Sequence, residues 1–404
     1  MPAVGGRLMS AAPERVLLVH NAYQLAGGED SVVADEAELL RRKGHEVVEM
    51  RRNNHAVEGM GRLALAADTL WSRDAYAEAA ALLRRHRPDV VHVHNTLPLV
   101  SPSLYWACHR AGVPVVQTLH NFRLACPQAM FLREGRVCER CIGRTPWPAL
   151  QYGCYRGSRA QTGVVVAMLA LHRGLGTYRE KVSRYIALNQ FCRAKFIEAG
   201  LPAGRIRVKP NFADIPPPPA GAAAREGLLF VGRLAPEKGI AALAAAWAEG
   251  VPGRLRVAGV GPDEAALAGA PGVEMLGALR PSQVLREMRA ARALVLPSLW
   301  YENFPRTLVE AFGAGLPVIA SRIGALAELV EPGVTGLLVE PGDARDLARA
   351  LRWADEHPAQ MAEMGARARA RFEALYTPDI NYAQLRDIYR AAIEDPHPVE
   401  TDHA

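Results

Sequence analysis

Twice along this chain, short runs of β-branched and leucine residues alternate with Ala/Leu-rich stretches of helical spacing, and a run of prolines separates the two series. The first series contains RVLLVH (15–20), DVVHVHN (89–95), PVVQTLHN (114–121), YIALNQ (185–190) and RIRVKPN (205–211). The second reads LLFVGR (228–233), RLRVAGVG (254–261), VEMLG (273–277), ALVLPS (293–298), PVIAS (317–321) and GLLVE (336–340). Strands that are apolar almost throughout are buried on both faces, the habit of parallel sheets covered by helices. The expected fold is therefore α/β, with two Rossmann-like units facing each other across a cleft and ligands at the C-terminal ends of the strands. The limits read as a loose leader at 1–14, a first unit at 15–215 and a linker at 216–227, PPPPAGAAAREG, which can continue neither strand nor helix. A second unit follows at 228–372, then a helix at 373–395 that packs back on the first unit, and a tail at 396–404.

Composition narrows the function classes. A chain of 404 residues with 50% hydrophobic and 22% charged residues is not globally disordered. The net charge of +6 favours phosphate-bearing ligands or an anionic membrane surface, while a nucleic-acid partner would leave a denser Lys/Arg patch, so none is expected. Residues 1–15 lack an apolar signal core, and the longest apolar run, VVVAMLAL at 164–171, falls far short of the roughly 20 residues of a membrane span. That run reads as a buried helix turn or as a surface resting on a membrane. The expected location is cytoplasmic, at most peripheral at the inner face of the membrane.

The strand-end rule selects candidate residues. Gly27 and Gly28 follow the first strand and allow close approach to a phosphate at a helix start, although no GxGxxG fingerprint for a dinucleotide is present. His94 and His120 close two further strands, and His120 precedes a loop that places it in the cleft. His92, inside an apolar run, reads as a packed core histidine. In the second half, Gly232 and Arg233 end one strand, with Lys238 five residues on: a guanidinium fork and a point charge suited to a diphosphate. Gly259 and Gly261 form another close-approach turn. Glu302 and Asn303 lie in the loop after PS (297–298), and Glu310 lies on the helix that follows Pro305. The spacing of the two glutamates suits gripping different parts of an elongated ligand.

At these residues the chain resembles the large group of GT-B-fold, retaining nucleotide-sugar glycosyltransferases of family 4. The resemblance spans roughly 15–385 and rests on Gly27-Gly28, His120, VGRLAPEKG (231–239), GVGP (259–262) and Glu302-x7-Glu310 followed by GAGLPVIAS. It implies that Arg233 and Lys238 contact the donor diphosphate, that Glu310 holds the ribose, and that Glu302 lies by the donor sugar with the amides of Asn303 and Phe304. It further implies that His120 sits near the reacting sugar, that Gly28 approaches the phosphates and that Leu279 borders the base. No catalytic metal is implied. The expected partners are a nucleoside diphosphate sugar and a carbohydrate or lipid-linked acceptor, in surface polysaccharide or glycolipid assembly. The competing enzyme reading is a sugar-nucleotide epimerase of the same fold.

One feature stands outside that frame. Cys126, Cys138, Cys141 and Cys154 are separated by eleven, two and twelve residues inside an insertion at 123–158. With Arg133, Arg136, Arg140 and Arg144 the stretch has the look of a zinc knuckle of a nucleic-acid binder. Its place directly after His120 makes it instead a clip on the acceptor side of the cleft. Structural zinc, packed free thiols, disulfides and a redox pair all fit the spacing, with a reducing compartment disfavouring disulfides.

Overall fold

The computed structural model describes residues 13–24, 27–218 and 224–396. The expected leader up to residue 12, residues 219–223 of the linker and the tail from 397 lie outside the described residues. The first half contributes β1 (Arg15–Ala22), β2 (Glu46–Asn53), β3 (Val90–Asn95), β4 (Val115–Thr118), a small hairpin of β5 (Leu132–Arg133) and β6 (Arg136–Val137), β7 (Arg184–Ala187) and β8 (Ile206–Val208). The second contributes β9 (Leu228–Val231), β10 (Leu255–Ala258), β11 (Val273–Gly277), β12 (Ala293–Leu296), β13 (Val318–Ser321) and β14 (Gly336–Val339).

Two six-stranded sheets result, in the orders β2-β1-β3-β4-β7-β8 and β11-β10-β9-β12-β13-β14. Every pairing within them is parallel. This is the expected GT-B architecture. Each order reverses direction at one point, between β1 and β3 in the first sheet and between β9 and β12 in the second. Connections leave the sheet on opposite sides there, so a crevice opens outside the strand ends. At the first of these points the register of β1 on β3 shifts so that His20 lies opposite Asn95.

The strands form because both faces are buried. Val16, Val90, Val116, Leu229, Leu294 and Val318 are each 1% exposed or less, and each such side chain contributes about 1.5–3 kcal/mol relative to exposure. One hydrophobic cluster is continuous between the halves, running from Val16 and Val116 through Phe304 and Leu308 to Leu385 and Tyr389. Two C-terminal helices, Pro358–Leu375 and Pro378–Glu394, complete the chain, the first extending past residue 372. The second lies against the first half: the side-chain amide of Asn381 donates to the Pro210 carbonyl at 2.7 Å.

RLALAADTLW, which carries no clear start signal, forms the helix Arg62–Trp71. The apolar run 164–171 lies in the helix Arg159–Gly174 and turns Val165, Val166, Met168 and Leu169 into the core. That fits its reading as a buried helix turn, although Leu171 at the end of the run remains 40% exposed. Among the described residues no helix is long and apolar enough to cross a membrane.

Candidate active site

The second half builds its site at the switch point. After β9, Gly232 and Arg233 lead into a 3₁₀ turn, Pro236–Lys238, and then through Gly239 into the helix Ile240–Ala248. Gly239 holds φ at +74°, and a Cβ there would collide with the carbonyl oxygen of Pro297 just beyond β12. Two neighbouring strand ends can therefore abut. Lys238 is delivered beside the loop after β12, with Nζ 2.6 Å from Oε1 of Glu302. The same oxygen accepts from Ser298 Oγ at 2.8 Å and from Trp300 Nε1 at 3.0 Å. The Lys238 ammonium also stands 5.4 Å from the centre of the Trp300 ring. Glu302 is only 6% exposed, yet its Oε2 has no partner among the described residues. A buried carboxylate with one oxygen saturated by donors and the other open is prepared to accept from a ligand hydroxyl.

Arg233 stands apart from this group, ion-paired to Glu237 with its side chain 65% exposed. Gly261 brings the loop after β10 against that after β9, since a Cβ on it would clash with the carbonyl oxygen of Leu234. Glu310 lies on the helix Arg306–Gly313, with Pro305 the residue preceding the helix. Its Oε1 accepts from Arg306 Nε at 2.7 Å, while Arg306 also reaches Asp35 of the first half at 2.6 Å. Burial pushes the Glu310 carboxyl up, against the opposing pull of Arg306. A cavity of about 320 Å³ opens here between the helices Gly28–Arg42 and Pro281–Ala290, walled in part by Asp35, Ser282, Leu285, Arg306 and Glu310. Leu279 lies half-buried two residues before this wall begins at Pro281. Glu302 and Glu310 are thus held separately, each by its own cation.

Asn303 joins the halves. Its side-chain amide donates to the carbonyl of Leu119, the residue before His120, at 2.7 Å, and its own carbonyl accepts from Asn189 at 2.6 Å. The buried Cys192 thiol also donates to the Asn303 side chain. The backbone amides of Asn303 and Phe304 donate to nothing among the described residues. They remain available to an anion.

In the first half, Gly27 caps the helix Gly28–Arg42, and its amide donates to Asp30 at 2.8 Å; both glycines are exposed. His120 follows β4, half-buried, with Nε2 2.8 Å from Nδ1 of His94. Burial, reinforced by His94, pushes its pKa well below the usual histidine range, so the ring is neutral. Beside it Asn121 reaches Glu29, which accepts from Tyr23 Oη at 2.8 Å. Burial pushes Glu29 up to about 7. His92 is a packed core residue, 0% exposed and bonded to Tyr389 at 2.7 Å and Thr118 at 2.8 Å.

Cys126 and Cys141 are buried, Cys138 and Cys154 half-buried, and all four are free. Burial raises the Cys141 thiol to about 11, and a backbone hydrogen bond from Ala149 opposes this. Among the described residues the one group of metal-ligating side chains with ligand atoms within 4.8 Å of one another is Glu36, His92 and His94; no three of the four sulfurs approach that closely. In that trio Glu36 already meets the ammonium of Lys209 at 3.0 Å, which supplies the positive charge a metal would bring.

Three participants are not evident from strand-end reasoning. Arg306 is legible only as the residue four before Glu310; Asp35 reaches the cleft, and the buried Glu36 reaches His94, by helix docking, which no local spacing encodes.

The description "Glycosyltransferase Family 4" matches residues 26–215, and "Glycosyl transferases group 1" matches residues 225–355. The D-inositol 3-phosphate glycosyltransferase of Streptomyces avermitilis is 30% identical over 343 residues, 76% of this chain and 67% of that protein. Anabaena HepE, solved in complex with UDP, superposes with a TM-score of 0.65 at 21% identity over 92% of this chain and 98% of its own. The lipopolysaccharide outer core galactosyltransferase WaaB gives 0.61 at 17% identity, over 93% of this chain and 98% of its own. With both halves matched and the two parallel sheets in place, the chain belongs to the family 4, group 1 glycosyltransferases of GT-B fold.

Proposed function

We propose that this glycosyltransferase moves a sugar from a nucleoside diphosphate sugar to an acceptor hydroxyl with retention at the anomeric carbon, in surface polysaccharide or glycolipid assembly. The observation that carries this reading is the Lys238–Glu302 pair at the switch point, beside the two open amides of Asn303 and Phe304. The acceptor oxygen attacks the anomeric carbon from the face the diphosphate leaves. The carbon–oxygen bond to the β-phosphate breaks, and a phosphate oxygen takes the acceptor proton, so the products are a glycoside and a nucleoside diphosphate. Lys238, the two amides and a swung-in Arg233 meet the charge growing on that phosphate. Gly28 and Gly232 give the phosphates room, and Glu310 accepts from the ribose hydroxyls, with Leu279 near the base. Oε2 of Glu302 and the ring of His120 hold hydroxyls of the transferred sugar.

UDP is the first nucleotide to test, since HepE was solved with it. The relatives' names support an acceptor that is a phosphorylated polyol or a growing surface glycan. A thermal-shift panel of UDP, GDP and their sugars should show stabilisation by one nucleotide series. No shift from any member sinks the donor site, and a product with inverted anomeric configuration sinks retention. An isomerised donor in the absence of acceptor favours the epimerase instead.

In this reading a structural zinc would have to draw the four cysteines together, since no three of their sulfurs lie within 4.8 Å of one another as they stand. Within 123–158 the chain forms only the two-residue strands β5 and β6, the turn Phe122–Leu124 at its start and the short helix Trp147–Tyr152. Its apolar side chains divide between the first-half core, which takes Ala125, Cys126 and Phe131, and a small cluster in which Cys141 and Ala149 meet Val166 with Cys154 against it. Such a segment lacks the core to fix itself, and a tetrathiolate would supply the constraint.

A further inference from the structure

Behind His120 a chain of polar side chains runs along one face of the first sheet, beneath the helix Gly28–Arg42, to the last helix. Nε2 of His120 meets Nδ1 of His94 at 2.8 Å, and Nε2 of His94 lies 3.4 Å from Oε1 of Glu36. Oε2 of Glu36 receives the Lys209 ammonium at 3.0 Å, and Lys209 is held in turn by Asn381 at 3.1 Å from the last helix. Glu36, Lys209 and His94 are 3% exposed or less.

We infer that Glu36 is a positioning residue which, acting through His94, fixes the tautomer of His120 so that its Nδ1 offers a lone pair, not a proton, to the reacting sugar. The proposal rests on the role of His120 given above. Lys209 and the neighbouring His92 hold Glu36 ionised in spite of burial, while burial and His92 push His94 down to about 3, so that ring is neutral. A neutral imidazole carries one N–H. The His94 nitrogen facing a carboxylate oxygen must be the one that bears it, because two lone pairs at 3.4 Å repel while an N–H and a carboxylate attract. His94 Nε2 and Oε1 of Glu36 complete no hydrogen bond among the described residues, and His92 Nδ1 lies 2.9 Å from the same oxygen, so the preference at His94 is electrostatic. Its Nδ1 is then an acceptor, and the bond to His120 requires that Nε2 of His120 donate. His120, also neutral, is left with a bare Nδ1, which has no partner among the described residues. It accepts from a sugar hydroxyl and so orients it; it does not protonate the leaving group.

The tautomer is read without substrate from the imidazole nitrogen-15 spectrum, with His120→Asn identifying its resonances. A single Nε2–H form is expected in the intact chain, and an Nδ1–H form overturns the inference. His94→Phe removes the link while leaving the Glu36–Lys209 pair in place. Glu36→Gln with Lys209→Met removes both buried charges together, avoiding an unpaired one. Each should mix the tautomers and lower kcat by about tenfold or more with the donor KM within about twofold, since orientation of a reacting hydroxyl acts on the chemical step. Folded variants with unchanged kcat overturn it. Absence of turnover with every nucleotide sugar strikes the proposed function alone, because the spectrum still reports the tautomer.

Discussion

Burial holds the carboxyl of Glu29 at about 7, partly relieved by Tyr23 and Asn121 and worsened by Asp30. Its pKa is raised above the unfolded value, so the folded chain binds the extra proton between about pH 4.3 and 7. The stability this group contributes is complete below that window and is lost as pH rises through it. Glu29→Gln should therefore stabilise the protein at pH 8, on the order of 2 kcal/mol, and leave it little changed at pH 4. Subtracting the two melting curves across pH isolates this group from the buried histidines, whose neutral forms act in the opposite sense; parallel curves would refute the assignment. At this scale the sequence announces residues by position. Lys238, Glu302 and His120 are legible because each lies in the loop that follows a strand, whereas the partner that tunes each one is legible only when it lies one helical turn away, as Arg306 does from Glu310. His94 could be read as a strand-end residue, but its bond to His120 depends on the registration of β3 beside β4.

Elements whose residues are apolar on both faces were readable throughout: apart from β2, whose EVVEMRRN is largely polar, the strands of both sheets match their sequence segments, because nothing else buries so many β-branched side chains in so few residues. The Arg62–Trp71 helix was not, since Gly61 offers no side-chain cap to mark its start. The insertion is the element least determined by pattern. Phe131 and Glu134 take positive φ alongside Gly135, so the hairpin is bent by contacts around it and not by turn residues alone. If zinc provides the missing constraint, the chain purified without chelators should carry one zinc, and Cys138→Ser should lose both the metal and some thermal stability. Metal content near zero in the unaltered chain removes zinc and leaves packed thiols. Retention of glycosyl transfer in a metal-free but folded preparation is compatible with either, because none of the four sulfurs contacts Lys238, Glu302 or His120 in the hydrogen-bond network.

Across the whole molecule, the halves touch through polar ties in addition to shared core. Glu328 accepts from the amides of Gln190 and Phe191 at 2.9 and 2.7 Å, Asn303 binds Leu119, and Arg306 bridges Asp35 and Glu310. None of these was legible, since each depends on how two separately encoded units dock. The Arg306 bridge serves two ends: it ties the halves together and opposes the rise that burial imposes on the Glu310 carboxyl. Separate substitutions divide these roles. Asp35→Asn cuts the tie, which is partly exposed and worth about 1 kcal/mol or less, and removes a charge that pushes Glu310 up while leaving its Arg306 partner; UDP affinity should change by less than about threefold. Arg306→Ala also releases Glu310, whose pKa then rises further, so fewer molecules present a carboxylate to the ribose. Affinity for UDP should fall by about tenfold, equivalent to the loss of a charge-assisted hydrogen bond. The deficit should deepen as pH falls, because the carboxyl protonates earlier than in the unaltered chain. Calorimetric titration of UDP into both variants at two pH values decides between the roles: equal, pH-independent losses would mean that the tie alone matters and that Arg306 does not act through Glu310.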